Sequence, residues 1–150
     1  MNIYIGCDHA AVEMKNEIRD YLKEKGHALF DMGIGEGEKV DYPDMAERVA
    51  LSVRGDKGSR GVLICGTGVG MAISANKVKG IRAASVSEAY SAKLTRMHNN
   101  SDIICVGARV IGIETAKMIV DAFMDAEFEG GERHERRVNL IDKLEESFGK

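Results

Sequence analysis

The chain has 150 residues, a length at which one domain buries most of its apolar surface without disulfides or metals. Hydrophobic residues make up 44% and charged residues 30%, a balance typical of soluble globular proteins. The net charge of −3, with scattered basic residues, argues against nucleic-acid binding, and no apolar run is long enough to cross a membrane. The lack of a signal peptide and three widely spaced cysteines predict one cytoplasmic domain over residues 1–150, with reduced thiols.

Short apolar runs alternate with helical stripes along the whole chain. The runs predict strands over residues 3–6, 27–33, 61–65, 81–86 and 103–106. The stripes predict helices over residues 11–26, from Pro43 onward, over 69–77, from an N-cap at Ser87 to residue 97, around 116–123, and over 132–147. This alternation favours an α/β fold, a three-layer sandwich with a five-stranded parallel Rossmann-like sheet and a C-terminal helix.

Polar residues follow the carboxyl ends of several predicted strands. Asp8 and His9 follow the first strand, Gly66 and Thr67 the third, and Arg109 the fifth. Because ligands of open parallel sheets bind at the carboxyl ends of the strands, near a switch in strand order, we expect these residues to share a site.

The segment GVLICGTGVGMAISANK, residues 61–77, is the most informative in the chain. A buried strand ends at Cys65, and a glycine-rich turn then leads into a helix. Backbone N–H groups at such a turn bind anions, and a thiol placed there is more reactive than an ordinary cysteine. The pattern predicts chemistry on a phosphorylated or oxyanion-forming small molecule, although a small buried hydrophobe is the commonest role of a free cysteine. We expect that ordinary role for Cys7 and Cys105.

Three other groups have both a structural and a functional interpretation. Asp8 either caps the first helix or takes part in the site. His98 lies near a predicted helix end, where a solvated histidine is common. Arg133 and Arg137 are four residues apart on the last helix, so they share one face and either are solvated or hold one phosphate together.

Other motif classes do not fit the spacing of these residues. The loop reads GxGxG rather than GxGxxG, and there is no GxxxxGK[ST], so a dinucleotide site is weakly supported and an ATP-type phosphate loop is excluded. The four histidines show no metal-ligand spacing, so we expect no bound metal and no cofactor; they are His9, His27, His98 and His134.

Five segments, in order, resemble the type B ribose-5-phosphate isomerase family. They are GCDHAA at 6–11, ICGTGVGMAISANKVKGIRAA at 64–84, HNN at 98–100, GAR at 107–109 and RHERRV at 133–138. The wider family includes isomerases of galactose 6-phosphate and allose 6-phosphate. The resemblance implies an aldose–ketose isomerase that interconverts ribose 5-phosphate and ribulose 5-phosphate through an enediolate.

The resemblance also implies the roles of individual residues. Cys65 would be the base, and His98, helped by Asp8, would open the furanose ring. Thr67 would belong to the catalytic group and hydrogen-bond the sugar, and Asn99 would hold a sugar hydroxyl or the enediolate. The remaining substrate-binding positions are the loop residues Gly66, Gly68, Val69 and Gly70, the phosphate-binding group His9, Arg109, Arg133 and Arg137, and Tyr42 in the pocket wall. The site would lie between two subunits of a homodimer or of a tetramer.

Two departures from the family pattern concern the last helix and the base. Glu132 stands between Gly131 and Arg133, where many relatives run GGRH without interruption, and the extra residue bears on where Arg133 and Arg137 point. Some relatives use a glutamate further along the glycine loop, and this chain has none there, so Cys65 has no competitor.

Three alternatives stay open at this point. A hexose phosphate is an alternative substrate. A non-catalytic sugar-phosphate or nucleotide-binding module would use the same fold and loop. A thiol sensor based on Cys65 would need a resolving cysteine, and Cys7 is the candidate because it also ends a strand.

Overall fold

The computed structural model describes residues 1–148. The strands are β1 (Asn2–Cys7), β2 (Ala28–Asp31), β3 (Arg60–Cys65), β4 (Ala83–Ser85) and β5 (Ile103–Gly107). The helices are α1 (Val12–Glu24), α2 (Tyr42–Gly55), α3 (Val69–Ala75), α4 (Ala89–Asn99), α5 (Ile113–Met124) and α6 (Gly131–Ser147).

All five strands are parallel and lie in the order β2-β1-β3-β5-β4. Right-handed crossovers then put α1 and α4 on one face of the sheet and α2 and α3 on the other. Helix α5 packs against α1 and α4, and α2 packs against α3, as this arrangement requires. The predicted three-layer sandwich with a five-stranded parallel sheet and a C-terminal helix is confirmed.

The core lies along the three central strands. Every residue of β3 and β5 is buried, which is the continuous apolar pattern of strands covered on both faces. At the amino-terminal edge of the sheet, the guanidinium of buried Arg60 donates hydrogen bonds to the carbonyl oxygens of Phe123 and Met124, at the end of α5. These bonds satisfy a buried cation and fix the end of α5 beside the start of β3.

Several predicted boundaries are wrong by a few residues, chiefly at the sheet's two edge strands. Strand β2 ends at Asp31 rather than residue 33, because the Asp31 carboxylate accepts the N–H of Gly33 at 3.0 Å and turns the chain. Strand β4 covers Ala83–Ser85 rather than 81–86, and it has a neighbour on one side alone. Helix α3 ends at Ala75 rather than residue 77, since the Asn76 amide bonds to both α3 and β4.

The predicted N-cap of α4 is also wrong. Glu88, not Ser87, holds that position, and its carboxylate accepts the N–H of Ser91 at 2.9 Å. Over residues 1–148, no helix combines the length and apolarity that crossing a bilayer requires.

Candidate functional site

The carboxyl ends of β1, β3 and β5 bring together most of the predicted site residues, from Asp8 to Gly70 and with Arg109. Cys65 ends β3 and is 5% exposed. Its Sγ accepts the backbone N–H of Gly68 at 3.1 Å, so the thiol points into the turn that follows the strand. Asp8 follows β1, the neighbouring strand, and its N–H donates to the carbonyl of Ile64 at 3.2 Å.

Two glycines fix the shape of the loop over residues 66–70. Gly68 has φ +80, and a Cβ there would lie 2.9 Å from the carbonyl carbon of Val106. A Cβ on Gly107 would lie 2.7 Å from the Thr67 backbone. The loop therefore crosses directly over the end of β5, where the N–H of Ala108 donates to the carbonyl of Cys65 at 2.8 Å. Neither position accommodates a side chain without moving backbone.

Tyr42 and Arg109 lie on either side of this loop. A Cβ on Gly70 would lie 2.8 Å from the Tyr42 ring, and one on Gly66 would lie 3.5 Å from Nη1 of Arg109. The missing side chains at these glycines let the ring and the guanidinium approach the loop backbone. In the first turn of α3, N–H groups of residues such as Gly70 have no partner within the helix. The loop thus presents backbone donors beside a cation and an aromatic ring.

Asp8 and His9 form the remaining wall of this group. Asp8 is buried, and its Oδ1 accepts the N–H of Ala10 at 2.9 Å. The N-cap residue of α1 is Ala11, so Asp8 orders the turn before the helix rather than capping the helix itself. The side chain of His9 is exposed and lines a groove with Lys39, Val40 and Asp41.

The other two thiols are structural, as the sequence predicts. Cys7 and Cys105 are both fully buried. Burial raises the pKa of each thiol above its ordinary value, which disfavours the reactive thiolate.

His98 and Asn99 lie at the opposite edge of the sheet. Helix α4 leads from the carboxyl end of β4 back to the start of β5, so its last residues lie at the amino-terminal edge. Strand β5 runs level with β3, from the pair Gly61↔Ile103 to the pair Cys65↔Gly107. Its five residues span about 13 Å, at about 3.3 Å per residue. One chain therefore does not bring His98 to Cys65.

His98 has two close neighbours that the sequence analysis did not select. Its Nε2 lies 3.5 Å from Oε2 of Glu129, and its ring stacks on that of His134 with centroids 4.4 Å apart and planes at 7°. Burial lowers the pKa of His134, and interactions with His98, Arg133 and Arg137 lower it further, while the Glu129 carboxylate raises it. No sequence signal marks Glu129, which lies in the loop before α6.

The two predicted phosphate-binding arginines of α6 belong with His98. Glu132 lies in the first turn of α6, and Arg133 and Arg137 follow it as exposed residues one turn apart. The ring stack of His98 on His134 places this turn beside the end of α4.

The predicted site residues thus form two groups at opposite edges of the sheet. The carboxyl-edge group contains Asp8, His9, Tyr42, Cys65, Gly66, Thr67, Gly68, Val69, Gly70 and Arg109. The amino-edge group contains His98, Asn99, Arg133 and Arg137.

The sequence and the fold match those of known proteins. Residues 3–141 match the model of the Ribose/Galactose Isomerase family. The chain is 49% identical over 144 residues to ribose-5-phosphate isomerase B of Escherichia coli (strain K12), covering 96% of each chain. It is 51% identical over 132 residues to D-erythrulose-4-phosphate isomerase of Pectobacterium atrosepticum, covering 87% of each chain. The solved structure of ribose-5-phosphate isomerase B from Clostridium thermocellum matches with a TM-score of 0.95, 45% identity and 99% coverage of both chains.

Proposed function

This chain belongs to the ribose/galactose isomerase family and is an isomerase, and on that premise we propose that it interconverts D-ribose 5-phosphate and D-ribulose 5-phosphate. The observation that carries the proposal is the Cys65 thiol, held by the Gly68 N–H at the mouth of a loop of backbone donors. A proton-transfer enzyme needs a group that takes and returns a proton beside donors that stabilise an oxyanion, and this edge supplies both.

The proposed chemistry is a proton shift between two carbons of the open-chain sugar. Cys65, as the thiolate, takes the proton from C2 while the C1 carbonyl oxygen gains negative charge, which gives an enediolate. Backbone N–H groups of the Gly66–Gly70 loop that are not already bonded, such as that of Gly70, stabilise that charge without any rearrangement of solvent. Cys65 then returns the proton to C1, while the hydroxyl proton passes from O2 to O1 and the carbonyl re-forms at C2. The ketose is complete, and Cys65 is the thiolate again. Thr67, exposed in this loop, binds a sugar hydroxyl.

Opening of the furanose ring requires the amino-edge group. A cyclic aldose has no carbonyl, so an acid–base pair must move a proton from the anomeric hydroxyl to the ring oxygen. We assign this step to His98, with Asp8 assisting and Asn99 binding a sugar hydroxyl. Because His98 and Cys65 of one chain are separated by the length of β5, we propose that His98 and Asn99 come from a second copy.

The same arrangement divides the phosphate site between two copies. His9 and Arg109 approach the phosphate from the chain that provides Cys65. Arg133 and Arg137, beside the second copy's His98, approach it from the other side, as two guanidiniums of one helix face. A symmetric pair of chains forms two such sites, so we propose a homodimer or a pair of dimers.

Exposed apolar side chains at both edges support this assembly. Tyr42, Val69 and Ile73 at the carboxyl edge are 45%, 50% and 58% exposed. On α6, Leu140 and Leu144 are 48% and 60% exposed. Apolar surface at the two half-sites is what a second copy would bury. We also propose a cytoplasmic location, which the three free thiols support.

The substrate is tested with a panel of aldose phosphates. We expect ribose 5-phosphate to be turned over faster than erythrose 4-phosphate, allose 6-phosphate and galactose 6-phosphate, in the presence of excess chelator. The four-carbon sugar belongs in the panel because a relative at 51% identity is a D-erythrulose-4-phosphate isomerase. Preference for another sugar would keep the chemistry and reject the pentose.

Variants separate catalysis from binding in the same assay. Cys65→Ala should lower turnover at least about a hundredfold. Cys7→Ala, which changes the buried thiol at the end of the neighbouring strand, should not lower it. Wild-type protein that binds ribose 5-phosphate but turns over no member of the panel would instead indicate a non-catalytic binding module.

A further inference from the structure

Three side chains at the amino edge, those of His98, Glu129 and His134, form a cluster. The proposed reaction uses only His98 among them. Nε2 of His98 and Nε2 of His134 lie 3.5 Å and 3.8 Å from the same atom, Oε2 of Glu129. The ligand-capable atoms of the three residues all lie within 4.8 Å of one another. Glu129 comes from the loop before α6, His98 from α4 and His134 from α6, so three separate segments converge here.

These distances are close to those of a zinc site. Zinc takes histidine nitrogen and carboxylate oxygen at about 2.0–2.2 Å, so neighbouring ligands around a tetrahedral ion lie about 3.3–3.5 Å apart. Two imidazoles and one carboxylate are also a donor set that protein zinc sites use, with the fourth position left to water. Only modest movement would bring all three ligand atoms to these spacings.

The ring stack is the main obstacle to coordination. The rings of His98 and His134 are nearly parallel, at 7°, so their lone pairs do not yet converge on one point. One imidazole must turn about its terminal torsion, which has a broad and shallow energy profile. The positive charges of Arg133 and Arg137 would repel a metal cation at this cluster, and the negative charge of the Glu129 carboxylate partly offsets that repulsion.

We propose that His98, Glu129 and His134 bind one Zn²⁺ ion, or a similar divalent transition metal, per chain, and that this ion reversibly inhibits the enzyme. Inhibition rests on the proposed function, because it follows from withdrawing His98 from ring opening. An imidazole that coordinates a cation has no free lone pair with which to move protons.

Metal binding is measured first, without reference to activity. Zn²⁺ is titrated into chelator-treated full-length protein against a chromophoric indicator. We expect one ion per chain, and Glu129→Gln and His134→Ala should each weaken binding at least about tenfold, the smallest loss usual even for an outer-sphere partner. Glu132→Gln is the matched control, because it removes a carboxylate from the same helix end outside the cluster, and it should bind as wild type does.

Cobalt identifies the ligands. Co²⁺ held by nitrogen and oxygen gives weak visible bands, whereas a thiolate ligand adds an intense near-ultraviolet band. We expect the weak visible bands alone, unchanged in Cys65→Ser. Equal zinc affinity in wild type, Glu129→Gln and His134→Ala would overturn the site. A thiolate band, or loss of binding in Cys65→Ser, would overturn it as well.

Inhibition is then measured with ribose 5-phosphate. Zn²⁺ should lower wild-type turnover, chelator should restore it, and Glu129→Gln should need at least about tenfold more Zn²⁺ for the same fractional loss. Zinc that binds as expected without lowering turnover would overturn the inhibitory part. Failure of the proposed function would be seen differently, as no turnover by metal-free wild type, and the binding titrations would still decide whether the site exists.

Discussion

If the site is divided between two copies, two inactive variants should regain activity when they form mixed dimers. Cys65→Ala removes the proposed base at the carboxyl edge, and His98→Asn removes the proposed ring-opening group at the amino edge. Along β5 these edges are about 13 Å apart, so no single chain completes a site. In a symmetric dimer each site combines Cys65 of one copy with His98 of the other.

The size of the recovery follows from counting sites. When the two variants are unfolded, mixed in equal amounts and refolded, half of the dimers contain one chain of each kind. One site of such a dimer carries both substitutions and the other carries neither, so ribose 5-phosphate turnover should recover to about one quarter of the wild-type rate. Variants mixed after folding, without exchange of subunits, are the control and should show only their residual rates.

The opposite result would refute the division of the site. If Cys65 and His98 acted within one chain, every site in the mixed dimer would carry one substitution and no activity would return. Mass spectrometry of differently tagged chains establishes that mixed dimers have formed, so lack of recovery cannot be attributed to failed exchange.

Three further predictions concern binding, folding and pH. Arg137→Ala should raise KM for ribose 5-phosphate roughly tenfold to a hundredfold by removing a charge-assisted contact, and Arg136→Ala, as control, should not. Gly107→Ala should lower the free energy of unfolding by about 1–3 kcal/mol in denaturant titrations, because its Cβ would meet Thr67 backbone at 2.7 Å. Burial alone would raise the pKa of Asp31, but hydrogen bonds from two cations of α1 outweigh burial and lower this pKa. The Asp31→Asn variant should therefore have a lower free energy of unfolding than wild type above pH 3.8, the ordinary pKa of an aspartate. This difference in free energy should disappear as the pH falls through the lowered pKa. A KM unchanged in Arg137→Ala, full stability of Gly107→Ala, or a pH-independent gap for Asp31→Asn would contradict these expectations.

The alternation of strands and helices predicted the fold class because parallel strands need crossovers and buried strands need apolar residues on both faces. The order of the strands did not follow from it. The pattern is equally consistent with β4 or β5 beside β3, and the structure has β5 there. Edge-strand limits were also missed, because turns such as that at Gly33 depend on a single side-chain hydrogen bond.

The carboxyl-edge group was within reach of sequence reasoning because strand ends and glycines are local features. The separation of His98 from Cys65 was not, since it depends on the direction in which α4 runs back along the sheet. The cluster of His98, Glu129 and His134 is less predictable still. Its members are far apart in sequence, and nothing in their spacing indicates that the start of α6 packs on the end of α4.

The role of Cys65 as the proton carrier is best tested by steady-state isomerisation of ribose 5-phosphate with wild type and Cys65→Ala under excess chelator. We expect kcat to fall by roughly a hundredfold to ten-thousandfold, the usual contribution of a general base, with KM nearly unchanged. Circular dichroism controls for folding. A folded Cys65→Ala variant with near-wild-type kcat would show that another group moves the proton.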